Sequence, residues 1–270
     1  MAYAGRRSSM KRMMILLSCL FFLNGCGSSE KVQTEIPAAV PASAETVAAE
    51  KQAAEYELAD TVLRDYRTQL EEAREINADV QALLAFQSGL CIDPVLQNHG
   101  TTDYLYTDWR TGEYQSYGSI ALDQENDLAR DDMNTILYGH YIYAFRNKDR
   151  SLVFTPLAQL MEAKNYRDNR YVSLITETAI RYYEVASVFP CPMVETAAGQ
   201  VCAPDFQYNL VEYDEVYFKR YLNAIEKAQY YDTGVILCYG DRLLTLQTCI
   251  EDHPESRLIV LCKEMERRKF

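Results

Sequence analysis

Residues 243–257, LLTLQTCIEDHPESR, hold an apolar run that stops on Cys249, then a polar stretch, then Arg257, where a second apolar run, RLIVLCKEM, begins. Two apolar runs joined by a short polar loop read as a β-hairpin. In such a hairpin the first strand fixes the cysteine rigidly, and the returning strand brings the arginine back beside it. Upstream, from Gly89 onward, six further runs have the same texture: CIDPVLQ, DYLYTDW, YGSIALD, NTILYGH, RYVSLIT and IRYYEVASVF, separated by Gly, Asn and Asp. This spacing predicts a mainly β (α+β) domain, a mixed or antiparallel barrel or sandwich.

Helices are expected at the edges of that pattern. From about Glu45 to Ala73 the chain is rich in Ala, Glu, Leu and Arg, and Leu58, Val62, Tyr66, Leu70 and Ala73 recur at helical spacing. A second, short helix is predicted from Asn77, a good N-cap, through ADVQALLAF. Two more are expected, near Pro156–Ala163 and over Asp214–Gln229, the latter with Val216, Tyr217, Tyr221, Ile225 and Ala228 as its apolar face. The domain plan is therefore 1–25, an export signal; 26–44, a Pro/Ala/Ser-rich linker; 45–88, a helical region; and 89–270, the β-domain.

The first segment carries Arg6, Arg7, Lys11 and Arg12 before the apolar run MMILLSCLFFL, which is short for a membrane span. LNGC at 23–26 is similar to a lipobox and makes Cys26 a lipidation candidate; an uncleaved anchor is the alternative, and both put the domain outside the membrane. Without the four basic residues before Cys26, 23 Lys and Arg face 39 Asp and Glu, a balance that excludes a nucleic-acid partner. Of the remaining cysteines, Cys238 and Cys262 lie in apolar runs as small core residues, and Cys191 and Cys202 flank PMVETAAGQV as candidates for a small disulfide. No CxxC, phosphate loop or His cluster is present, so neither a metal nor a cofactor is expected.

Nucleophilic cysteine chemistry needs a thiolate, and a thiol with an ordinary pKa of about 8.5 needs a base or an electropositive neighbour. Three histidines are available. His99 lies in the loop QNHGTTD and His253 follows Cys249 by four residues, whereas His140 ends NTILYGH after Gly139, where a side chain can leave the sheet edge for a cleft. Arg257 would hold carbonyl oxygens with its fixed fork of donors.

TLQTC at 245–249 resembles the TLxTC signature of the sortases, cysteine transpeptidases of bacterial cell surfaces, with Arg257 and LIVLCKE following in order. NTILYGH resembles the family's histidine segment, and EINADVQALL, IDPVLQ, DYLYTDW and YGSIALD follow the order of the class B members, so the resemblance spans about Glu75 to Lys263. It implies a closed β-barrel with N-terminal helices and an inserted helix before the catalytic strand. It implies Cys249 as nucleophile, His140 as acid/base and Arg257 as oxyanion and substrate donor, with Thr248 and Leu246 as substrate contacts. The substrates it implies are sorting signals of the Asn-Pro-x-Thr kind and an amine from a peptidoglycan precursor or a pilin, at a membrane reached through the N-terminal anchor. A hydrolytic thiol peptidase and a silent peptide-binding lipoprotein are the alternatives. The chain departs from the pattern at Tyr141 and Ile142, where class B members usually read Asn-Met, and at QALLAF in place of a Gly-Trp-Ile strand.

Overall fold

In the computed structural model, residues 55–196, 199–202 and 207–270 are described; the signal segment, Cys26 and the linker lie outside them, as does the side chain of Cys202. The chain runs α1 (Asp60–Ile76), β1 (Val80–Phe86), β2 (Ile92–Leu96), β3 (Ile120–Leu122), β4 (Asn134–Tyr138), β5 (Tyr171–Thr176), β6 (Ala179–Thr196), β7 (Gly199–Cys202), α2 (Glu215–Ala228), β8 (Leu243–Ile250) and β9 (His253–Lys269). The strands are ordered β5-β1-β2-β3-β4-β8-β9-β6-β7, and a further pairing of β5 with β6 closes eight of them into a barrel, with β7 outside the ring. Closure removes the unpaired edges that an open sheet of this size would expose. Pairing is antiparallel except for β2 with β3 and β4 with β8.

The period-2 alternation of the strands sorts side chains into an interior and an outer layer. On β9, Leu258, Val260 and Cys262 enter the barrel core with Leu244, Leu246 and Leu137. Ile259 and Leu261 instead face outward, where Phe218, Tyr221 and Ile225 of α2 cover them. Asp214 caps α2 by accepting from the Tyr217 N–H at 2.7 Å. Val216, expected on the packing face of α2, is 72% exposed, and Phe218 takes that place. A second outer cluster packs Leu70 and Ala73 of α1 over β1, β5 and β6.

Three expectations are corrected. The segment from Asn77 to Phe86 is not a helix: Asn77 ends α1, and QALLAF lies within β1. Asn77 Oδ1 accepts from the Asp79 N–H at 2.9 Å, which turns the chain into the strand. β1 is apolar at nearly every position because its two faces meet the barrel interior and α1. The barrel thus begins at Val80, inside the region assigned to helices. DYLYTDW is a 3-10 turn over Tyr104–Tyr106 rather than a strand, with Asp103 accepting from the Leu105 N–H at 3.0 Å. Cys238, expected as a small core residue, is exposed; the Cys191–Cys202 expectation rests on the Cys202 side chain, outside the described residues.

Asn134 ties α2's approach to the barrel. Fully buried, it donates through Nδ2 to the Tyr208 and Leu210 carbonyls at 3.2 and 3.0 Å, and its Oδ1 accepts from the Thr245 hydroxyl at 2.8 Å. Asn134→Ala leaves these buried groups unpaired and is expected to cost about 2–4 kcal/mol. Urea unfolding of the two proteins checks it, and a loss below about 1 kcal/mol would mean that water replaces the amide.

Candidate active site

β4 and β8 run parallel with Leu137 opposite Leu246 and Tyr138 opposite Gln247, and the Gly139 N–H donates to the Gln247 carbonyl at 3.1 Å. Carried two residues further, the same register sets His140 level with Cys249. On the other flank of β8, Cys249 is paired directly with Arg257 of β9. Leu246 and Leu258 point into the barrel, so by alternation Cys249 and Arg257 point outward. A cysteine and an arginine on adjacent strands, and a histidine two residues past the end of β4, therefore form one row on the outer face.

Each member is held locally. β8 and β9 are joined by a tight turn at Glu251 and Asp252, and the register shifts between Cys249 and Ile250, so that residues 254–256 bulge from β9. Arg257 Nη1 donates to the Pro254 and Ser256 carbonyls of that bulge at 3.0 and 3.2 Å. Gly139 is required before His140, because a Cβ there would sit 2.7 Å from Phe154 Cδ2. Phe154 is fully buried and its N–H donates to the His140 carbonyl at 3.2 Å. Val153, which seats that ring, has φ +50°, a conformation costing a β-branched residue about 1–3 kcal/mol.

His140 and Cys249 share a cleft of about 240 Å³ with Tyr117, Tyr143 and Arg146. A separate groove of about 770 Å³ is bordered by Asp103, Leu105, Asp123 and Tyr138. The Tyr106 ring packs 5.0 Å from the His140 ring, and Tyr106 stacks in turn on Tyr114. Burial, then the charges of Arg146 and Arg257, hold the imidazole below its ordinary pKa; a hydrogen bond with the Leu105 backbone and the Asp103 carboxylate oppose them. His140 Nε2 is buried with no hydrogen-bond partner among the described residues, which leaves one nitrogen available to exchange a proton.

A neutral, half-buried histidine has a signed effect on stability. Above about pH 6.5 the folded and unfolded chains both keep this imidazole neutral; below it, the unfolded chain binds a proton that the folded chain resists, and stability falls with pH. Wild type is therefore expected to lose more stability between about pH 7.5 and about pH 5.5 than His140→Gln does. Denaturant unfolding at the two pH values checks this, and equal losses would place the imidazole in solvent.

The other sequence-predicted residues fall elsewhere. Leu246 is fully buried and Thr248 is 1% exposed; both lie on the inward face of β8 and neither lines the cleft. Their even spacing from the outward Cys249 is the physical reason. His253 is exposed beside Glu255, at 3.3 Å, and His99 is exposed as well. Tyr106, Tyr143 and Arg146 were missed; no local pattern separates them from the chain's other tyrosines and arginines.

No family model matches the chain. It is 26% identical over 199 residues to sortase B of Staphylococcus aureus (strain NCTC 8325 / PS 47), covering 73% of this chain and 75% of that one. It is 25% identical over 203 residues to sortase B of Listeria monocytogenes serovar 1/2a (strain ATCC BAA-679 / EGD-e), covering 73% and 74%. Among solved structures, Clostridium perfringens sortase B superposes with a TM-score of 0.58 at 26% identity, over 73% of this chain and 99% of that one.

Proposed function

We propose that the chain is a class B sortase, a cysteine transpeptidase, that Cys249, His140 and Arg257 are its catalytic residues, and that it cleaves a sorting motif of the Asn-Pro-x-Thr type near the C-terminus of surface proteins, passing the acyl group to a cell-wall or pilin amine; its likeness to the sortase B proteins supports this reading. The observation that carries this reading is the row of the three side chains, level with one another on β4's extension, β8 and β9. His140 takes the proton of the Cys249 thiol, and the thiolate attacks a peptide carbonyl carbon of the motif; the C–S bond forms and the carbonyl electrons move to oxygen, which Arg257 stabilises. Collapse breaks the C–N bond, and the departing nitrogen takes a proton from His140. An incoming amine then gives a proton to His140, bonds to the thioester carbon and releases the Cys249 thiolate.

The basic start, the apolar run and LNGC support a location on the outer face of the cell membrane, held by lipid on Cys26 or by an uncleaved anchor. The enzymatic reading is tested by intact mass of the domain after incubation with an Asn-Pro-x-Thr peptide library. An adduct that maps to Cys249 and passes to added amine supports transpeptidation, adduct lost equally fast with and without amine supports hydrolysis, and no adduct under any condition overturns the proposed motif.

Arg257→Ala is expected to lower kcat by about 10²–10³-fold, the usual loss for one oxyanion donor. Arg257→Lys should recover only part of it, because an ammonium lacks the planar fork. Steady-state kinetics of the three proteins check this; a Lys variant as fast as wild type would mean that charge alone suffices.

A further inference from the structure

We propose that Glu251, with Tyr141 and Arg150, is a positioning clamp that fixes the His140 loop to the strand of the nucleophile. The proposal rests on the catalytic reading above and adds to it the groups that set the separation of His140 from Cys249. β4 ends at Tyr138, so His140 lies beyond the paired strand, and the last backbone bond toward β8 is the one made by Gly139. A residue outside the ladder needs another restraint to stay level with its partner.

Glu251 supplies it from the β8–β9 turn, two residues after Cys249. Its Oε2 accepts from the Tyr141 hydroxyl at 2.5 Å, and Arg150 Nη2 lies 3.7 Å from Oε2. Arg150 also donates to the Tyr141 hydroxyl and to the Ile142 carbonyl, and its guanidinium covers the Tyr141 ring at 4.9 Å. One carboxylate thus gathers the whole 141–150 loop. Tyr141 is buried and meets Tyr143, a wall of the cleft, edge to face at 5.5 Å.

The hydrogen bonds outweigh the ion pair here. The Arg150 and Glu251 side chains are 40% and 41% exposed, so solvent screens their attraction, whereas the phenol bond has its ring buried. Burial first and the Glu251 bond second raise the Tyr141 pKa, and the Tyr141 bond first of all lowers that of Glu251; both shifts fit a phenol donating to a carboxylate. Tyr141 is also where the chain leaves the class B pattern, and the clamp gives that departure a structural use.

The test reads the thiol without any peptide substrate: the rate of Cys249 alkylation by iodoacetamide against pH, resolved by peptide mass because Cys238 is also exposed. In Glu251→Ala and Tyr141→Phe the rate near neutral pH is expected to fall about tenfold or more toward that of His140→Ala, since a shift of about 1 Å can cost 10²-fold. Their profiles should simplify to one thiol titration, as in His140→Ala. Glu251→Gln, which keeps an acceptor for Tyr141, should stay within about threefold of wild type. Near-UV circular dichroism confirms folding, and Tyr141→Phe keeps the buried ring if Glu251→Ala does not fold. A wild-type profile in Glu251→Ala and Tyr141→Phe beside an altered one in His140→Ala overturns the clamp alone. An unaltered profile in His140→Ala overturns the catalytic assignment and the clamp with it.

Discussion

Cys249→Ala is expected to form no acyl adduct with any sorting peptide and to lose at least about 10⁴-fold in turnover, because no other group can supply the covalent intermediate. The fold should survive. Cys249 is half-buried on the outer face, not part of the barrel core, so removing its sulfur opens no interior cavity of the kind that makes core truncations costly. The other described cysteines do not substitute for it: Cys91, Cys191 and Cys262 are buried, and Cys238 is exposed away from the cleft. Burial pushes the thiols of Cys91 and Cys262 well up, which disfavours thiolate at both. Intact mass and near-UV circular dichroism of the variant are the measurements. An adduct that persists in folded Cys249→Ala would move the nucleophile elsewhere.

What the sequence disclosed follows from how local each signal is. The β8–β9 hairpin was legible because both strands and their turn lie within one short stretch, and Cys249 opposite Arg257 followed from it. α2 was legible too, through its Asp214 cap and helical spacing, though its face was turned by a residue: Val216 projects into solvent where Phe218 packs. QALLAF was misread because a strand covered on both sides loses the alternation that marks strands and resembles a buried helical run. Leu246 and Thr248 were placed at the substrate by motif order, although period 2 from Cys249 sends both inward. The parallel pairing of β4 with β8, which makes His140 a neighbour of Cys249, joins segments more than a hundred residues apart and leaves no local trace. The same is true of Tyr106 beside the imidazole and of Glu251 beneath Tyr141.

His140→Ala should lower kcat by about 10³-fold or more, the upper part of the range for a positioned acid/base, because one imidazole serves both half-reactions. In the proposed mechanism it gives a proton to the first leaving nitrogen and takes one from the incoming amine, so acylation and aminolysis should slow together. Single-turnover kinetics separate the two steps. Loss confined to aminolysis would mean that the thiol is activated without His140 and that the histidine serves only the acceptor. The double variant with Cys249→Ala should be no slower than Cys249→Ala alone, since residues that act as one unit are not additive. His253→Ala is the discriminating control. That histidine is closer to Cys249 in sequence, yet its ring is exposed beside Glu255, and it borders neither the cleft nor the separate groove. Near-wild-type activity in His253→Ala, beside a deep loss in His140→Ala, is what the parallel register requires; the reverse would mean that the hairpin, not the β4–β8 pairing, supplies the base.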